Sequence, residues 1–151
     1  MDENANFEQD GRPRPTLVLP MGTGGGGFLT IPYFVAQQGW HRYPVQFSPA
    51  KVSLLLALRN AYEDDCGEPE QMRGWRHPNV LAQMIGHQTT WQPEVHTVRA
   101  NMVKIEQLLR TAAKAVRKKS PEAELPPAII ERQRGFGARL ALPFDVKDLT
   151  E

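Results

Sequence analysis

Apolar positions divide the chain into two regimes. Up to residue 47 they come in short runs bounded by glycine and proline, the signature of strands. Thr16–Met21 (TLVLPM), Phe28–Ala36 (FLTIPYFVA) and Trp40–Phe47 (WHRYPVQF) are three such runs. Pro32 removes a backbone donor and steers the second towards an edge or a bulge. At Ser48-Pro49 the period changes, because a serine N-cap followed by proline at the first helical position starts a helix. This helix is predicted over Pro49–Tyr62, with Val52, Leu54, Leu55, Leu56, Leu58 and Ala61 on a broad apolar face. Glu63–Gly67 ends it, and Glu68–Arg76 reads as a polar loop. A short second helix is expected from His77-Pro78 to Ile85, closed by Gly86 as a C-cap glycine. The third helix has the clearest periodicity. Val95, Val98, Met102, Ile105, Leu109, Ala112 and Val116 alternate spacings of three and four, giving one stripe through roughly six turns. Ser120-Pro121 stops it, and Glu122–Ala128 (EAELPPA) is a proline-rich connection.

Residues Ile129–Leu142 follow as a hairpin. Two apolar residues open it, Arg132 and Arg134 sit at alternate positions, and Arg139 comes after the bend at Gly135-Phe136-Gly137. Residues 1–15, rich in acids and ending in RPRP, are expected to be disordered; Pro143–Glu151 reads as a polar tail. The expected fold is α+β: a small N-terminal antiparallel sheet, three helices and a C-terminal β-hairpin wing, with one domain over residues 16–142. Helix first and basic hairpin second is the order of a winged helix-turn-helix.

Charge sharpens the picture. The net charge is +1, yet Arg99–Arg139 holds ten Lys/Arg against four acids (Glu106, Glu122, Glu124, Glu131), a balance of +6. The remaining eight basic and thirteen acidic residues balance to −5. Such a basic block is a footprint for an anionic partner, with a solvated charged face as the plain alternative. At 151 residues the chain suits a single hydrophobic core, and its composition is that of a soluble globular protein. No apolar run has membrane-spanning length, and the acidic start MDENANFEQDGR resembles neither a secretory signal nor a transit peptide. The single Cys66 forms no internal disulfide, which suits a reducing cytoplasm.

Other motifs are weaker. GTGGGG matches G-x-G-x-x-G at Gly22, Gly24 and Gly27, but a dinucleotide site needs a helix next, and the strand-like FLTIPYFVA follows; a flexible hairpin loop is the better reading. His41, His77, His87, His96 and Cys66 lack paired zinc spacing, so no metal or cofactor is expected. Neither a nucleophile motif nor a convincing carboxylate pair is evident, which disfavours an enzyme. Trp40, Trp75 and Trp91 are read as packing residues.

The whole order, from Leu17 to Leu142, resembles the OmpR/PhoB-type winged helix, the DNA-binding half of many bacterial response regulators. Phe47-Ser48-Pro49 opens a leucine-rich first helix, as there. Val98, Asn101-Met102, Lys104-Ile105 and Leu109 are similar to the family's V-x-x-H-[IV]-x-R-L-R-x-K-[LI] helix, and Arg134–Leu140 to its R-G-x-G-Y-R-[FL] wing. The resemblance implies that the third helix enters the major groove and the wing arginine reaches the minor groove. Thr97, Arg99, Asn101, Val103, Lys104 and Gln107 would then lie at or near double-stranded DNA, with Arg134 and Arg139 on the wing. Arginine suits bidentate contact with guanine or phosphate, and Asn/Gln can read adenine. Arg132 joins the wing set; Lys104, Arg110, Lys118, Lys119 and Arg134 are the expected phosphate contacts, and Arg99, Asn101 and Arg139 the expected groove readers. The sequence departs from the family at Glu106, where a basic residue is common, at Asn101 for the usual histidine, at Ala138 for the wing tyrosine, and in its long helix-to-wing connection. No receiver domain is expected ahead of the winged helix. These expectations describe a cytoplasmic, nucleoid-associated regulator or DNA-organising factor, acting as a homodimer or higher oligomer, with a transcription-machinery or assembly partner. The alternative is an assembly module that oligomerises through the heptad-spaced stripe of the third helix without binding DNA.

Overall fold

A computed structural model describes residues 12–150. The sequence order is β1 (Thr16–Leu19), β2 (Gly27–Val35), β3 (Gly39–Phe47), α1 (Pro49–Asp64), a 3₁₀ turn (Glu70–Met72), α2 (Pro78–Gln88), α3 (Val95–Lys119), β4 (Ile130–Gln133), β5 (Gly137–Leu140) and β6 (Asp145–Asp148). The three expected helices and the hairpin are present, so the chain is α+β. Its four-stranded sheet runs β3-β2-β1-β6, with a separate β4-β5 ribbon.

The sheet is mixed, which corrects the antiparallel expectation. β1 pairs antiparallel with β2 but parallel with β6, Thr16 opposite Asp145 and Leu19 opposite Asp148. The segment read as a polar tail therefore supplies a strand. Phe144, just before it, is 1% exposed, and its carbonyl accepts a bond of 2.9 Å from Arg59 Nε on α1. Arg12–Pro15, inside the stretch expected to be disordered, are also anchored. The Asp145 N–H donates to the Pro15 carbonyl at 3.0 Å, and Arg14 lies 3.6 Å from the Asp145 carboxylate. Residues 1–11 of that stretch fall outside the described residues.

One apolar cluster unites the elements. Leu17, Leu19, Leu29 and Ile31 of the sheet meet Leu54, Leu55 and Leu58 of α1, Leu81 and Ile85 of α2, Val98, Met102 and Ile105 of α3, and Ile130 and Leu140 of the hairpin. α1 is the hub, touching both other helices, β3 and β5. Its broad apolar face follows from this: a helix covered on several sides needs more than one stripe. α2 runs past the expected stop at Gly86 to Gln88, with Thr89 at its C-cap. Gly86 serves close approach instead. A Cβ there would lie 1.8 Å from Gln92 Oε1, and the Gln92 amide uses that space to donate to the Ala82 carbonyl at 3.0 Å.

The α3 stripe behaves differently along its length. Val98, Met102 and Ile105 are buried in the chain's own core, whereas Leu109, Ala112 and Val116 are half-buried. The proline-rich connection then returns across the sheet. Glu124 exchanges two backbone hydrogen bonds with Phe34, of 3.0 and 2.7 Å, on the β2 edge that β1 leaves open beyond Thr30.

Candidate nucleic-acid interface

Strand register decides where each hairpin arginine goes. Ile130 pairs with Leu140, Glu131 with Arg139, and Arg132 with Ala138. Side chains alternate faces along a strand, so Ile130 and Arg132 share the side facing α3, while Glu131 and Arg139 share the other. Arg134 lies in the turn. Its bend is tight because Gly135 and Gly137 both take positive φ, 90° and 94°. Gly137 is constrained further, since a Cβ there would lie 2.1 Å from the Arg76 carbonyl oxygen. That approach lets Arg76 and Ala138 exchange two backbone bonds of 2.9 Å, so the loop before α2 lends a third, single-residue partner to the ribbon.

The Arg76 side chain fixes this partner in turn. Its guanidinium donates to both oxygens of Asp65, at 2.9 and 3.0 Å, while the Gly74 N–H donates to Asp65 Oδ2 at 2.8 Å. The bond from Arg76, helped by the Gly74 amide and the charges of Arg76 and Arg73, holds the Asp65 carboxyl below its ordinary range against the opposing effect of burial. The end of α1 is thereby tied to the base of the hairpin.

Between α3 and the hairpin lies a cleft of about 760 Å³, lined by Arg99, Val103, Glu106 and Arg110 of α3 and by Arg132, Gln133 and Arg134 of the hairpin. Five residues picked from the sequence therefore line one surface: Arg99, Val103, Arg110, Arg132 and Arg134. Glu106, the acid that stood against phosphate binding, is neutralised. Arg132 reaches it with Nη2 at 2.8 Å and Nε at 3.2 Å. Four guanidiniums against one carboxylate leave the cleft lining at +3. Arg99, Arg110 and Arg134 have no ion pair among the described residues.

The other expected residues divide. Lys104 and Gln107 are exposed; at about 100° per residue Gln107 lies beside the cleft, whereas Lys104 points away from it on the outer face of α3. Thr97 and Asn101 sit roughly half a turn from Arg99 on the same helix and are half-buried, outside the cleft. Lys118 and Lys119 are exposed in the last turn of α3, about 30 Å along the axis from Arg99, outside the cleft.

Arg139 is the main correction. It is 8% exposed. Nε bonds Glu131 at 2.8 Å, Nη1 donates to the Glu70 carbonyl at 2.6 Å, and its guanidinium lies 5.5 Å from the centre of the Trp75 ring. Register places it on the face away from α3, where it secures the 70–75 loop. Sequence reasoning overlooked Phe136, which is 48% exposed at the hairpin tip with its ring centre 5.5 Å from that of Trp75. An aromatic between two glycines was the available signal. It also overlooked Gln133, which is in the cleft.

Among the described residues no group of His, Cys, Asp and Glu could hold a metal ion, and no helix is long and apolar enough to cross a membrane. No protein-family model, no curated protein and no solved structure matches this chain.

Proposed function

We propose that the chain binds double-stranded DNA as a winged helix-turn-helix of the OmpR/PhoB type, acting as a transcriptional regulator or DNA-organising factor. On this reading α3 enters the major groove and the β4–β5 hairpin is the wing. The observation that carries it is the shared cleft: two elements far apart in sequence present Arg99, Arg110 and Arg134 to one surface, with the intervening Glu106 already satisfied by Arg132. Unpaired guanidiniums arranged along a helix and an adjacent ribbon suit a phosphate backbone and the groove beside it. Arg99 and Gln107 are the candidates for base contacts, and Lys104, Arg110 and Arg134 for phosphates.

The test is fluorescence anisotropy with labelled random and genomic duplexes at several salt concentrations, alongside Arg99→Ala/Arg134→Ala. Binding should weaken steeply with salt, and the double variant should lose most of it while remaining folded. Losing a single phosphate contact such as Arg134 should shallow the salt slope by about one and weaken all sequences alike. Arg99→Ala should cost roughly 1–3 kcal/mol on a preferred site and relax selectivity at one base. Failure to bind any duplex at low salt, or a folded double variant that binds as before, overturns the proposal and leaves the assembly-module reading to be pursued.

A further inference from the structure

The second half of α3 does not close onto the sheet. Beyond Ile105 the helix continues for about four more turns beside β3, and the connection pinned at Phe34 runs along its other side. The three walls enclose a groove of about 530 Å³, within the range of small-molecule sites. Ile31 supplies its floor, Leu109 and Ala113 one wall, and the segment Leu125–Ile130 the facing wall. The frame is preformed, because the Phe34–Glu124 backbone bonds hold that segment in place.

The rim is as one-sided as the interior is apolar. Arg110, Lys114 and Arg117, spaced by four and three residues, bring three cations to the groove. None of them is ion-paired among the described residues. Among the described residues the only carboxylate lining the groove, Glu106, is held by Arg132. An apolar slot with a wholly cationic free rim is complementary to a molecule with an aliphatic body and a single anionic head. The walls are built chiefly from aliphatic and proline side chains, which favours a saturated tail. We infer that this groove binds a medium-chain aliphatic carboxylate, its tail between α3 and the 125–130 segment and its head on Lys114 and Arg117.

This site is distinct from the proposed DNA cleft but adjoins it, since Glu106 and Arg110 line both. Binding itself does not depend on the DNA reading and is tested without DNA. Decanoate is titrated into the isotope-labelled full chain below its micelle concentration, following methyl and amide resonances. Decyltrimethylammonium, with the same tail and the opposite head, is the control. Saturable shifts centred on Ile31, Ala113 and Ile129, and affinity at least tenfold higher for decanoate than for the cation, are expected. Lys114→Gln/Arg117→Gln should weaken decanoate about tenfold, and Ala113→Trp should fill the groove and abolish binding in a folded chain. Equal affinity for both amphiphiles overturns the inference, as do shifts located elsewhere. Shifts at these residues that follow protein concentration rather than decanoate overturn it in favour of a second copy of the chain. If Ala113→Trp does not fold, the wild-type shift map and the charge variant decide. Loss of DNA binding in Arg99→Ala/Arg134→Ala, with decanoate binding retained, separates the two readings.

Discussion

Three polar residues near the hairpin illustrate how context assigns roles to similar side chains. Arg139 and Arg134 belong to the same motif, yet one is buried with Nε and Nη1 hydrogen-bonded and the other stands free of ion pairs among the described residues. Arg139→Ala should therefore destabilise the fold by about 2 kcal/mol, because it removes charge-assisted bonds to Glu131 and the Glu70 carbonyl. Lysine should not restore the loss, lacking the planar fork. Arg134→Ala should change stability by less than about 0.5 kcal/mol. Thermal unfolding of the two variants checks the contrast. Asp65 gives a pH-dependent counterpart. Its folded pKa is depressed chiefly by the Arg76 hydrogen bond, so its contribution is fully present above the unfolded value of about 4 and is lost as pH falls through the folded value. With the carboxylate partly exposed, that contribution is about 1 kcal/mol. Asp65→Asn should thus lower the melting temperature at pH 7, and the gap from wild type should narrow as pH falls below about 4. The sequence displays all these residues but not their partners: Glu106 and Arg132 are 26 positions apart, and only the hairpin register brings them together.

At the scale of elements, local signals were legible where local physics decides. The Ser48-Pro49 start of α1, the three-and-four spacing of α3 and its end at Ser120 appear in the structure where the sequence puts them. The Gly86 stop failed because a glycine near a helix end serves either left-handed capping or close approach, and only Gln92 reveals which. β6 was missed for a similar reason. Asp-Val-Lys-Asp has no apolar alternation, and its strand exists because β1 offers an edge. The two halves of α3 should respond unequally to truncation. Ile105→Ala, in the core, should cost about 2–5 kcal/mol, and Val116→Ala about 1 kcal/mol or less, measured by denaturant unfolding. In the ribbon, Gly137→Ala faces both a positive φ and the Arg76 carbonyl. It should destabilise by more than Gly135→Ala, whose added methyl meets open space and adds mainly a backbone cost of about 1 kcal/mol.

For the whole molecule, the basic segment and its two carriers were readable from charge and order, whereas the closure of the sheet was not, being a matter of topology between chain ends. Deleting Pro143–Glu151 should uncover Leu17 and Leu19 as well as remove Phe144, whose burial alone is worth about 1.5–3 kcal/mol. Against a typical total of about 5–15 kcal/mol, that loss should greatly lower the melting temperature or abolish cooperative unfolding, as read by circular dichroism. The parallel pairing of Thr16–Leu19 with Asp145–Asp148 also has a temporal side. During synthesis β1 emerges roughly 125 residues before its partner, a delay on the order of ten seconds at ordinary elongation rates. Through that interval one edge of β1 has unpaired amides and carbonyls, the kind of template on which neighbouring nascent chains can associate. The ribosome, rather than the finished fold, is where this sheet is most vulnerable.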